Sequence, residues 1–329
     1  MIKMKKKLFK TKELGILLVL LLLILILSIL SPRFLKMNNI FNIFKQVATL
    51  GICSVGFTFV LITGGIDLSL GYQISLVNVV CAVLMVTFGV NWILACLIGM
   101  IVGSLIGVIN GLIITKTGVA PLIVTLSMMT ILRGISFLIS KGLPIFGFPR
   151  AFSVLGQGSI GKIPVSLFFF AVIVLIGSFI LRKTTYGRYF YALGSNEEAT
   201  KLSGINVAKV RMIVYSLCGF FTSIGAILML SRLNSAQSST GNGYEFDVLT
   251  ACVLGGVSTS GGKGTVFGAI IGVMIIGVLD NGLLLLNVSE YIKLVIKGTI
   301  LLVAVIYDTM SKKRSEKVKR LKAINVENA

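Results

Sequence analysis

Arg133 stands inside an apolar stretch, with Ser127, Thr130 and Ser136 at three-residue steps around it and Ser140 four residues further on. Spacings of three and four align side chains along one helical flank. An arginine at bilayer depth costs at least about 2.5–3.5 kcal/mol unless it meets water or a partner. Two readings stay open: a hydrogen-bonded or ion-paired seam between helices, or a flank facing a hydrated pathway. Asp67 raises the same question within Gly64-Gly65-Ile66-Asp67-Leu68-Ser69, a glycine-rich break echoed by Gly255-Gly256-Val257-Ser258. Non-helical backbone at membrane depth is tolerated only against protein or a water-filled cavity. Each break therefore reads either as a short cytoplasmic turn or as part of such a cavity. Gln237, Ser238, Ser239 and Asn242 add amides and hydroxyls of the kind that bind a neutral polar solute.

Other chemistries are poorly served. Gly261-Gly262-Lys263-Gly264-Thr265 resembles a phosphate-binding loop. That loop, however, needs G-x-x-x-x-G-K followed directly by Ser or Thr. Here Val257 occupies the first glycine position and Gly264 follows the lysine, so no nucleotide site is visible. The chain has no histidine, which removes the near-neutral proton carrier and the commonest metal ligand. Cys53, Cys81, Cys96, Cys218 and Cys252 lie in apolar stretches without CxxC spacing and read as small buried hydrophobes. With no HExxH, no deep Ser–Lys or paired-carboxylate cluster and few deep acids, neither an intramembrane enzyme nor a proton-coupled carrier is supported, and no cofactor or metal is expected.

The elements that must position these residues are helices in lipid. Of 329 residues, 56% are apolar and 13% charged, and the mean hydropathy is +1.00. A soluble domain carries about 25% charge. The fold class is all-α, a polytopic transmembrane helical bundle with short broken or re-entrant segments. Ten spans are expected, at about 16–30, 46–63, 71–89, 92–114, 120–140, 163–181, 210–231, 245–259, 265–286 and 290–308. The eighth is short enough to be re-entrant or broken. The first exceeds the apolar core of a signal peptide and lacks a small-x-small cleavage site, so it reads as a retained span.

The net charge of +20 is concentrated at the ends, with six lysines between Lys3 and Lys12 and seven bases between Lys312 and Lys322. Basic ends flanking apolar spans fit the positive-inside rule and anionic lipid headgroups, and argue against nucleic acid as a partner. Residues 1–329 read as one membrane domain. Its basic tails, 1–14 and 309–329, are cytoplasmic, as is the loop 182–209, and the loop 141–162 lies outside. Gly99, Gly103, Gly107 and Gly111 form a bare ridge for close helix packing, and Gly264, Gly268 and Gly272 repeat the device. Asp280, Lys293 and Lys297 lie near span ends, where snorkelling to the interface accounts for them.

Between Arg182 and Asp308 the chain reads Gly194-Ser195-Asn196-Glu197-Glu198-Ala199-Thr200, Leu202-Ser203-Gly204-Ile205, Ser235-Ala236-Gln237, Gly241-x-Gly243-Tyr244-Glu245-x-Asp247, then Val253-Leu254-Gly255-Gly256 leading to Gly261-Gly262-Lys263-Gly264. With the earlier Gly-Gly-Ile-Asp-Leu-Ser stretch, this resembles the permease subunit of ribose-type ABC importers over about residues 40–308. The resemblance implies a bacterial inner-membrane homodimer served by a separate ATPase subunit and an extracytoplasmic sugar-binding protein. It implies transport of a sugar, ribose first, the alternatives being another pentose or hexose, a nucleoside or a branched-chain amino acid. It also implies a coupling loop: Glu198-Ala199-Thr200-Lys201-Leu202-Ser203-Gly204 is similar to the Glu-Ala-Ala-x-x-x-Gly loop that docks on the ATPase, with Thr200 in place of the second alanine.

The residues themselves predict a short helix over 195–204. Ser195 or Asn196 can cap it, Glu197 and Glu198 suit the positive end of its dipole, and Gly204 suits a left-handed end. Ala199, Leu202 and Ser203 would form its apolar patch. The pathway or gate is expected to draw on Asp67, Ser69, Ser127, Thr130, Arg133, Gln237 and Asn242.

Overall fold

The computed structural model describes residues 11–327, with side chains described for 14–311. Nearly all of the basic tail 1–14, and the side chains beyond Ser311 in the tail 309–329, lie outside the described residues.

The chain runs α1 (Thr11–Leu30), α2 (Met37–Ile62), α3 (Leu70–Val86), α4 (Trp92–Thr117), α5 (Pro121–Ser140), α6 (Arg150–Gln157), β1 (Ser159–Ile160), β2 (Ile163–Pro164) and α7 (Val165–Lys183). It continues through α8 (Thr185–Ser195), α9 (Glu197–Leu202), α10 (Val207–Leu233), α11 (Tyr244–Leu254), α12 (Val266–Leu285) and α13 (Glu290–Glu327). It is an all-α polytopic protein. Among the described residues, seven helices are long and apolar enough to cross a membrane: α2, α4, α5, α7, α10, α12 and the Glu290–Ser311 part of α13. Leu14–Leu30 and α3 are shorter apolar helices, each of 17 residues and so about 25 Å long.

The eighth expected span departs from a full helix. α11 has 11 residues, which is about 16 Å and half a bilayer core. Gly243 at φ 80° starts it, and Gly255 with Gly256 at φ 80° ends it. The apolar run that suggested a span continues past those glycines, but the helix does not. The irregular segment 234–243 precedes α11 and covers the remaining distance.

α2 and α10 form the centre. Every residue of α2 from Val47 to Ile62 is buried, so this apolar helix meets protein on all sides. α2 and α10 cross where a Cβ on Gly56 would lie 2.9 Å from the Cys218 Cα. The α4 glycines face inward. Added carbons at Gly103 and Gly107 would strike Ser223 and the Tyr215 backbone, and one at Gly111 would lie 2.8 Å from the Met212 Cα. Gly99 looks instead towards Cys81 of α3, at 2.5 Å. All four are buried. The opposite face of α4 leaves Ile101, Leu105 and Ile109 exposed, the pattern of a helix with one side in lipid.

The segment 141–162, read as a plain loop, contains α6 and the antiparallel β1–β2 pair. α6 lies across the end of α10: the Gly156 N–H donates to Ser231 Oγ at 2.8 Å, and Ser231 Oγ donates to the Phe152 carbonyl at 2.7 Å. A short amphipathic helix of this kind carries too little apolar length to register as a span.

Candidate functional site

Two interrupted helix runs meet inside the bundle. α10 has 27 residues and is about 40 Å long, with Gly219 near its midpoint. Gln73, in the first turn of α3, donates to the Gly219 carbonyl at 2.7 Å. The break at 63–69 therefore carries the chain from the end of α2 to mid-depth before α3 begins. From the other direction, segment 234–243 descends until the Gly241 N–H donates to Ser75 Oγ at 3.0 Å. Gly71 and Gly241 are in backbone contact, and neither site has room for a side chain. The N-termini of α3 and α11 thus face one another in the middle of the protein. A helix N-terminus carries partial positive charge and unpaired N–H groups.

Beside this junction lies an open polar patch. The Arg133 guanidinium sits 5.6 Å from the centre of the Tyr72 ring, and the Tyr72 hydroxyl donates to Asn242 Oδ1 at 3.4 Å. Arg133 and Asn242 are exposed, as are Ser127, Thr130 and Gln237. The Ser127 and Thr130 hydroxyls fold back on the carbonyls of Ile123 (2.9 Å) and Leu126 (3.2 Å). The polar flank expected along α5 does not hold as one face. Each three-residue step turns about 60° short of a full circle, so nine residues carry the line to the opposite side. Ser136 and Ser140 are accordingly buried, with Ser140 hydrogen-bonded to Ser238, which also donates to the Ser136 carbonyl at 3.2 Å.

Asp67 and Ser69 are brought together but do not open on this patch. Both are buried. Asp67 Oδ1 accepts from the Ser69 amide at 3.1 Å and the Ser69 hydroxyl at 2.5 Å, and Asn110 donates to that hydroxyl at 2.9 Å. The Ile66 carbonyl accepts from Tyr215 and Thr125, each at 3.3 Å. The break is thus braced by α4, α5 and α10.

Snorkelling does not account for Lys297. Its ammonium lies 2.9 Å from both Asp247 of α11 and Asp280 of α12, a cluster joining three helices. The half-length of α11 brings Asp247 within reach of α13, and nothing local in the sequence announces that. Lys293 is buried and pairs with Glu290 at 2.7 Å.

The far end of α2 forms a second site. The Gly262 amide donates to the Ile62 carbonyl at 2.8 Å, and a Cβ at Gly194 would strike that same carbonyl. The Tyr191 hydroxyl of α8 donates to the Gly264 carbonyl at 2.7 Å, and burial raises its pKa, keeping it a neutral donor. The phosphate-loop lookalike is therefore a turn packed against α2 and α8. α9 follows directly. Asn196 rather than Ser195 caps it, accepting from the Ala199 amide at 3.0 Å, and Gly204 sits at φ 78°. Glu197 and Glu198 occupy the first turn, with Glu197 paired to Arg211 of α10. Glu198, Ala199 and Leu202 are exposed, Leu202 at 89%. Thr200 is buried and donates to the Asn196 carbonyl at 2.7 Å, so the departure from the family-like alanine lies on the inward side.

Residues 39–305 match the family described as branched-chain amino acid transport system / permease component. The chain belongs to this permease family. The permease is 43% identical over 283 residues to the ribose import permease protein RbsC of Escherichia coli K12, covering 85% of this chain and 88% of the relative. It is 44% identical over 282 residues to that of Bacillus subtilis 168, covering 85% and 87%. The galactose/methyl galactoside import permease protein MglC of Salmonella typhimurium LT2 is 38% identical over 331 residues, covering 94% and 98%. No solved structure matches the permease.

Proposed function

We propose that this protein is the membrane subunit of an ATP-driven sugar importer, most closely fitted to ribose. In this reading it works as a homodimer with a separate ATPase on its α9 face and an extracytoplasmic binding protein on the other. Both termini are cytoplasmic, in a bacterial inner membrane. The observation that carries the reading is the open patch of Arg133, Tyr72 and Asn242 beside two opposed helix N-termini at mid-depth, in a chain 43% identical to a ribose import permease. Charged and amide side chains facing lipid would be costly, which supports this face meeting water or the second copy. A neutral pentose needs donors and acceptors rather than a fixed countercharge, and the patch has both.

Asn196, Glu197, Glu198, Ala199, Leu202 and Gly204 form the coupling element. Its exposed Leu202 is suited to a cleft on the ATPase, and its motion is passed on through backbone contacts. α9 follows α8, α8 abuts the Gly261–Gly264 turn, and that turn holds the end of α2 where the break begins. Shifting α9 would thereby shift the base of both interrupted runs and change the side to which the patch opens.

Uptake of labelled ribose and galactose into cells expressing the permease with its ATPase and binding protein tests the substrate. Ribose uptake abolished by excess unlabelled ribose and not by galactose is expected; the reverse order would assign the chain to hexose import. Gly204→Val with Glu198→Ala tests the coupling element. Valine is poorly tolerated at φ 78°, so hydrolysis without import is expected from a permease that remains inserted. Normal coupled import in that variant would remove α9 from the role.

A further inference from the structure

A cleft of about 560 Å³ opens between α1 and α13, where α1 leans on α12 and α13 on α11 without the two outer helices closing on each other. Gly15, Ile16 and Val19 form one wall, Tyr307 and Ser311 the other, and Val253 part of the floor. The cleft lies towards the α9 end of the molecule, because its floor is the end of α11 and the loop after it reaches Ile62 and Gly194. It runs about 10 Å along α13 from Ala304 to Ser311.

Charge distinguishes this cleft from an ordinary gap between lipid-facing helices. In the sequence, six lysines between Lys3 and Lys12 precede the α1 wall. Seven bases between Lys312 and Lys322 follow the α13 wall. The acid within the cleft wall, Asp308, is already engaged, accepting from the Thr259 amide and hydroxyl at 3.0 Å and from Ser258 at 3.2 Å. An apolar slot whose two walls continue into bases at the same end matches an acyl chain with a phosphate above it. Basic pockets between membrane helices bind anionic headgroups on this principle.

We propose that this cleft binds one anionic phospholipid, its acyl chain between α1 and α13 and its phosphate drawn to the basic runs of sequence that precede the α1 wall and follow the α13 wall. The site requires only that the protein is embedded in a membrane, so it stands or falls separately from the sugar assignment.

Native mass spectrometry of the full-length permease, titrated with phosphatidylglycerol or phosphatidylcholine of identical acyl chains, tests it. Wild-type protein is expected to retain phosphatidylglycerol preferentially. Lys12→Gln with Arg314→Gln is expected to lower that preference by about fivefold for each base removed. Gly15→Leu is expected to remove retention of both lipids by filling the slot; the first carbon it adds meets nothing within 4 Å, so the fold is not at issue. Equal retention of the two lipids by the wild type would overturn the proposal. So would an unchanged preference in both variants, or efficient thiol cross-linking of Gly15→Cys to a second copy, which would assign the cleft to protein.

Discussion

Arg133 is held over the Tyr72 ring with no carboxylate among its described partners. In the proposed reading its cost in lipid is relieved by water or a neighbouring copy, and its exposure makes it available to a solute. Arg133→Gln together with Asn242→Ala should leave insertion and thermal stability near wild type, because both side chains are exposed. Sugar uptake should fall at least about tenfold, the loss of one or two hydrogen bonds to solute at about 1.4 kcal/mol per decade. Normal uptake in that double variant would move the pathway elsewhere. Asp67 behaves differently. One of its carboxylate oxygens holds Ser69 within the braced break, so its removal should be felt as lost stability before any change in substrate handling.

At the scale of elements, small residues and one ionic cluster do the fastening. Lipid provides no hydrophobic drive between helices, so close backbone approach supplies much of the association. Gly107 presses on the Tyr215 backbone, and Gly107→Leu should abolish detergent-stable protein. A monodisperse variant of wild-type melting temperature would show that α4 can stand off from α10. Lys297 lies between Asp247 and Asp280. Lys297→Met should leave two mostly buried carboxylates without a cation and destabilise by about 3–5 kcal/mol. Adding Asp247→Asn and Asp280→Asn should restore most of that loss, and a triple variant no more stable than the single would refute the cluster as the cause. The cluster anchors α11, which as a half-helix has little length with which to hold itself.

The whole molecule has two ends. α9 and the Gly261–Gly264 turn lie at one, α6 and the β1–β2 pair at the other. If the α9 end is cytoplasmic, Leu202→Cys should resist membrane-impermeant thiol reagents applied outside cells, and Leu143→Cys should react. Labelling of Leu202→Cys from outside would invert the orientation. The background is favourable, since all five native cysteines are buried. The half-helix does not change the parity. Segment 234–243 and α11 together still return the chain to the α9 end.

Several properties were legible from the sequence because they are local or additive. Apolar length identified the seven long spans, since a helix must cover a fixed bilayer thickness, and it misjudged the eighth, where glycines end the helix within the apolar run. Asn196, the acids after it and Gly204 marked the limits of α9, since caps depend on the residues at the ends themselves. The glycines of α4 marked a bare ridge. Depth and facing were decided only by the tertiary structure. Whether Asp67 opens on the patch, whether Ser136 shares a side with Ser127, and whether Lys297 reaches water or an acid all depend on where another helix starts. α3 and α11 start in the middle of the protein, and no local run of residues states that. The reason is physical: hydropathy sums over a window, whereas a buried charge is settled by one partner brought within 3 Å from a distant part of the chain.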